Sequence, residues 1–311
     1  MRPNHFLKSH VSRWSAAFVA TIALVFGAAA PGQQAQLTEP VYRVASDTAT
    51  APAATAVPVA APASVAGPGT PSITFDLAQK PGEHPIAPVL RTAKQILAHI
   101  DQDVRDYTCT LVKQERVDGD LGDAQNIFLK VRNQPFSVYM YFLKPMQGRE
   151  VLYVDGQNNN ELLVLECGWK RMAGRVSLDP NGMLAMSGQK YPITRVGLHN
   201  LVSQWIEASE VSLQHDDSVV TVDPNSSFNK RPATLIQVTH QQPQKYFHAH
   251  VTRFFIDNEL KVPILYDAYL WPEKPGEKPE LSESYMYLNS KVNTGLTATD
   301  FDPNNGQIFN K

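Results

Sequence analysis

Cysteine is scarce. Cys109 and Cys167 are the only two in 311 residues, too few for a disulfide framework. Both lie in apolar, strand-like runs, so two separate buried thiols are expected. A disulfide is the alternative, and it needs Cα atoms within about 7 Å of each other. Charge is also thin, at 19% of residues with a formal net charge of -2. No stripe of Lys and Arg interleaves with aromatic residues, which excludes a nucleic-acid partner. There is no Gly-x-Ser-x-Gly elbow, and no Gly-rich loop opens a helix to cradle phosphate. Neither cysteine has the electropositive helix-end setting that activates a thiol. No cofactor is expected, and the chain is read as non-enzymatic.

Only one long apolar run is present. Arg2, His5, Lys8 and Arg13 precede an uncharged stretch from Trp14 to Ala30, closed by small residues with Gly27 and Ala29 at cleavage-type spacing. This is the layout of a secretory signal peptide over residues 1–30, with an uncleaved anchor as the alternative. The expected location is therefore the periplasm or cell envelope. Residues 31–83 follow, rich in Ala, Pro, Thr and Ser with almost no aromatic side chains. Such a segment buries too little apolar surface to offset its conformational entropy, and is expected to act as a disordered, semi-stiff linker. The folded domain is expected over 84–311.

That domain reads as α+β and mainly β. Leu90, Ala93, Leu97, Ile100 and Val104 recur at helical spacing, and Pro85 and Pro88 fit the helix entry. Strands are expected near 107–117, 125–131, 136–143, 150–154, 161–166 and 171–178. A second helix is expected over 196–209, with Leu198, Leu201, Val202, Trp205 and Ile206 on its apolar face. Strands then resume near 219–222, 234–239, 247–257, 262–270 and 282–292. The breaks between strands, such as Asp155-Gly156, are too short for crossover helices, so the sheet should be antiparallel. About ten strands must curl, close or split. The expected form is an incomplete barrel with the helices in its concave face, a common place for ligands.

The order of helix, Asp106-Tyr107-Thr108-Cys109-Thr110-Leu111-Val112-Lys113-Gln114-Glu115, and Arg149–Val154 running into Asp155-Gly156 resembles the LolA/LolB-type lipoprotein-carrier superfold, which includes RseB. Leu111–Arg116, Gly148–Gly156 and Val292–Phe301 are similar to an exported, planctomycete-type family of domains of unknown function. The resemblance implies a half-barrel that takes up apolar groups such as acyl chains. In the carriers a basic residue directly precedes Pro. Here Asn133 and Gln134 separate Arg132 from Pro135, so no cavity arginine is assigned.

Tyr139, Met140, Tyr141 and Phe142 are consecutive, so their strand is apolar on both faces. It must be covered twice or meet a ligand. Tyr139, Tyr141, Tyr153, Trp205, Phe254, Tyr269 and Trp271 are the cavity candidates, while Trp169, Met172, Met183 and Met186 read mainly as core. The Gly-flanked segment around Met183–Met186 also suits a mobile lid. His248 and His250 share a strand face, with His240 across a short loop. Solvated or hydrogen-bonded histidines are the expected reading, and a divalent metal site is the competing one. Asp300 and Asp302 read as a turn before Pro303. The ligand or partner expected is a lipid, an acyl chain or a lipidated protein. Alternatives are an envelope protein bound to a domain with a packed cavity, and a peripheral or tethered relation to the membrane.

Overall fold

The computed structural model describes residues 73–274 and 276–309. The leader and most of the linker lie outside the described residues. Residues 73–83, expected within the linker, pack on the domain: Phe75 and Leu77 lie against the main core, and Arg91 holds Glu83 at 2.6 Å.

The first helix, α1 (Ala87–Asp103), starts with Pro in its first turn. It leads into β1 (Asp106–Val117), a two-residue β2 (Asp120–Leu121), β3 (Gln125–Arg132), β4 (Ser137–Lys144), β5 (Glu150–Val154), β6 (Leu162–Leu165) and β7 (Arg175–Leu178). A one-turn α2 (Met183–Met186) and the long α3 (Leu198–Ser212) then cross to the second arm. That arm comprises β8 (Ser218–Phe228), β9 (Arg231–His240), β10 (Val251–Asp257), β11 (Pro263–Tyr269) and β12 (Leu281–Val292).

The strands form one antiparallel sheet in the order β7-β6-β5-β4-β3-β1-β12-β11-β10-β9-β8, with β2 paired to β1. Each arm is a meander of neighbours in sequence. The arms meet at a seam where β1 pairs β12, with Tyr107 opposite Val292 and Glu115 opposite Glu283. The sheet is curled and open, with α1 and α3 in its concave face. The main core lies there: Val89, Ala93, Ile96 and Ile100 of α1 and Leu198, Val202 and Trp205 of α3 meet inward residues of both arms.

Sequence periodicity placed the elements well and their faces less well. The buried stripe of α1 runs through Val89, Ala93, Ile96 and Ile100, while Leu90 and Leu97 are half-buried. Ala93, Ile100 and Val104 of the expected stripe are buried, and only at the other two positions do the preceding residues, Val89 and Ile96, take the core side. The strand expected over 171–178 is shorter. Gly168 and Gly174, at φ 60° and 74°, bracket a 3₁₀ turn over Gly168–Ala173, leaving only Arg175–Leu178 extended. The strand expected from Phe247 begins at Val251, because Phe247 N–H closes a turn onto Gln244 O. Trp169, Met172 and Met183, read as core, are 80%, 92% and 88% exposed.

The doubly apolar β4 is covered on both faces by the chain itself. Val138, Met140 and Phe142 face the main core. Tyr139 lies in a second cluster with Leu152, Val154 and Leu165, under Phe301, Ile308 and Phe309 of the C-terminal segment. Buried Glu150 clasps that segment: its Oε2 accepts from Phe309 N–H at 2.6 Å and from Tyr139 O–H at 2.7 Å. The Asp300 turn is a capping box with Thr297, and Asp302 Oδ1 accepts from Asn304 N–H. Both cysteines are free, Cys109 being buried with its thiol pKa pushed well up by burial.

Candidate functional site: a cavity between the third helix and the seam

α3 is set onto the sheet by its first residues. Gly197 stands at its start with φ 108°, and the fully buried Tyr107 hydroxyl accepts from Leu198 N–H at 2.9 Å. A Cβ at Gly197 would come within 2.9 Å of that hydroxyl oxygen. Leu201 and Trp205, one and two turns further along α3, face the sheet.

Between α3 and strands β1 and β9–β12 lies a cavity of about 370 Å³. Its apolar part is lined by Leu111, Tyr287, Val238, Leu201, Trp205 and Phe254. Trp205 and Phe254 stack with centroids 4.0 Å apart, and Tyr266 adds a tilted ring 4.7 Å from Phe254.

The other end of the cavity is polar. Strand alternation continues inward from Leu111 to Lys113 and Glu115, and from Tyr287 to Tyr285 and Glu283. The register sets Leu111 opposite Tyr287, Lys113 opposite Tyr285 and Glu115 opposite Glu283. Two glutamates facing one another across strands are unfavourable unless compensated, and here Glu115 and Glu283 are 7% and 1% exposed. Compensation comes from all around. Lys113 Nζ lies 3.2 Å from Glu115, and Lys190 Nζ lies 3.2 Å from Glu283. Lys190 N–H donates to Glu115 at 3.0 Å. Tyr285 O–H lies 2.6 Å from Glu115 and 3.1 Å from Glu283, bridging the pair. Tyr266 and Tyr191 reach Glu283 at 3.3 and 3.4 Å.

Burial, and then the Glu283 charge, raise the pKa of Tyr191, Tyr266 and Tyr285, so these phenols keep the protons they donate. Burial lowers the pKa of Lys113, with Glu115 offsetting part of the effect. Gln189, Lys190 and Tyr191 belong to the segment after α2. Gln189 also accepts from Lys113, so this segment straps across the polar end.

The third wall carries His240, stacked on Phe247 at 3.7 Å. Its ring nitrogens lie 3.1 Å from Ser218 Oγ and 3.4 Å from Ser212 Oγ. His250 Nδ1 lies 2.7 Å from His240 O, while His248 is exposed at the cavity rim. Among the described residues no group of three His, Cys, Asp or Glu side chains is placed to hold a metal ion.

Of the aromatic candidates, Trp205 and Phe254 line the cavity together. Tyr139 and Tyr141 sit on the outer face of β4 against the second cluster. Tyr153 is core beside Phe136, 6.1 Å between centroids. The Tyr269 hydroxyl meets Arg253 and Asp267, and half-buried Trp271 lies 5.8 Å from the His250 ring. The polar end, with Lys113, Glu115, Tyr191, Tyr266, Glu283 and Tyr285, was not singled out from the sequence. Its one signal there is the run Leu111-Val112-Lys113-Gln114-Glu115, whose alternation puts charge on the same face as a core leucine.

No curated protein matches the chain in sequence. Similar solved structures include the lipoprotein LppX of Mycobacterium tuberculosis, at 15% identity and TM-score 0.39, covering 70% of this chain and 100% of that one. A LolA superfamily protein of Nitrosomonas europaea is similar at 11% identity and TM-score 0.29, covering 68% and 97%. In the MucA/MucB complex of Pseudomonas aeruginosa the match has 14% identity and TM-score 0.39, covering 69% and 60%. Residues 104–308 match the family model described as "Protein of unknown function (DUF1571)", and the chain belongs to that family.

Proposed function

We propose that this is an exported, non-enzymatic binding domain that holds an apolar or amphipathic ligand, such as a lipid, an acyl chain or a lipidated protein, in the cell envelope. One observation carries the reading: the concave face is not filled by its own side chains, and retains a cavity of about 370 Å³ with an aromatic wall at one end and a hydrogen-bonding wall at the other. A chain segment fits the first wall and a polar head the second. Each buried CH₂ contributes about 0.8 kcal/mol, enough for one acyl chain to be held reversibly without a covalent step.

Native mass spectrometry of the chain exported by a bacterial envelope host tests this. The expected result is an additional mass, released by organic solvent and identified as lipid or acyl peptide. Trp205→Ala, which removes half of the Trp205–Phe254 stack, should lower its occupancy. A bare protein mass, with no uptake of added fatty acid or lipopeptide, would overturn the reading in favour of an envelope protein-interaction domain.

A further inference from the structure

The four most exposed large apolar side chains of the described residues fall within one short segment. Trp169 and Met172 are 80% and 92% exposed on the turn before β7, and Met183 and Leu184 are 88% and 73% exposed on α2 after it. The next most exposed, Val219, is at 45%. The two groups flank β7 (Arg175–Leu178), the terminal strand of the sheet, whose four residues span about 13 Å. Four large apolar side chains this bare within sixteen residues are unusual on a monomer surface.

The charged residues among them are mostly basic. Lys170, Arg171 and Arg175 face a single acid, Asp179, in a chain of net charge -2. Arg171 reaches Glu150 at 3.4 Å. Lys170 is exposed and has no carboxylate partner among the described residues. Trp favours the boundary between lipid headgroups and acyl chains, Met and Leu insert below it, and Lys and Arg meet anionic phosphates.

We propose that residues 169–184 form the surface by which this domain docks on an anionic lipid bilayer. Charge complementarity selects that occupant over a second copy of the chain, because two such segments would bring like charges together. The segment continues directly into the strap at Gln189–Tyr191 that closes the polar end of the cavity. The proposal is independent of whether the cavity holds a ligand.

Vesicle flotation of the full chain tests it, using phosphatidylcholine vesicles with and without phosphatidylglycerol. All variants share residues 14–30, so any lipid affinity of that stretch is common to them. The wild type should bind the anionic vesicles preferentially, and less so in raised salt. A Trp169→Ser/Met172→Ser/Met183→Ser/Leu184→Ser variant should bind about tenfold more weakly, and Lys170→Glu should remove the preference for phosphatidylglycerol. Brominated acyl chains should quench wild-type tryptophan fluorescence more than that of Trp169→Phe, a readout that does not depend on the fourfold variant folding. Binding of the variants at the wild-type level, equal quenching, or no wild-type binding to any vesicle overturns the proposal. So does a self-associated wild type that the fourfold variant turns into monomer while vesicle binding is unchanged, since the patch would then join copies of the chain.

Discussion

His240 shows how strongly one position can set the pH response. Burial lowers its pKa from 6.5 to about 4, helped by the nearby His248 and His250 and opposed by Asp217. The neutral ring is the folded form. Between those two values the unfolded chain binds a proton that the folded chain refuses, so stability falls as pH drops from 6.5 to about 4. A shift of this size corresponds to about 3 kcal/mol across the window. Urea midpoints of His240→Gln should be flatter than wild type over that interval, and parallel curves for the two proteins would refute the assignment. Asp257 works in the same direction at lower pH. Its burial disfavours ionisation, but Arg231 and the N–H groups of Glu259 and Leu260 outweigh it and hold the carboxyl below the usual range. That contribution is present above the unfolded pKa and is lost as pH falls through the folded one.

At the scale of elements, the placement of α3 decides whether there is a cavity. Gly197 combines a positive φ with a close approach to the Tyr107 hydroxyl. Gly197→Ala should cost about 2–3 kcal/mol in chemical denaturation, from backbone strain and from the contact together. Adding Tyr107→Phe should recover only the contact part, because Leu198 N–H then loses its acceptor. Equal stability of Gly197→Ala and wild type would show that α3 does not depend on this junction. Elements were the most legible layer of the sequence. Gly and Pro breaks marked the strands, and period-two and helical patterns named their type. Faces were harder to read, since Val89 and Leu90, like Ile96 and Leu97, are adjacent apolar pairs in α1 and only the packed sheet selects one of each. Trp205 and Phe254 could be picked out as large aromatics on apolar faces. Glu115 and Glu283 could not be paired, because they lie 168 positions apart in sequence and meet only once β1 and β12 are side by side. Tyr139 and Tyr141 were drawn toward the cavity by a sound argument, that β4 needs two covers, with the second cover supplied by residues near the C-terminus.

For the whole molecule, that second cover should be a large part of stability. Phe301 is 1% exposed beneath the clasp of Glu150 and Phe309. Phe301→Ala should destabilise by about 3–5 kcal/mol, read as a lowered urea midpoint with exposure of the outer face of β4. A shift below about 1 kcal/mol, near the size of an ordinary surface change, would mean the C-terminal segment is a loose flap. No helix among the described residues is long and apolar enough to cross a membrane.

The seam has a consequence for how the protein is made. A chain that emerges N-terminus first presents β1 early, finds β3 soon after, and must then wait for β12, whose Val292 pairs with Tyr107. Until the last strand arrives, one side of β1 is an open edge flanked by half-built core, the kind of surface that pairs with the wrong chain. The centre of the finished sheet can therefore close only once β12 has been made, and until then the cavity lacks the wall that Glu283, Tyr285 and Tyr287 supply.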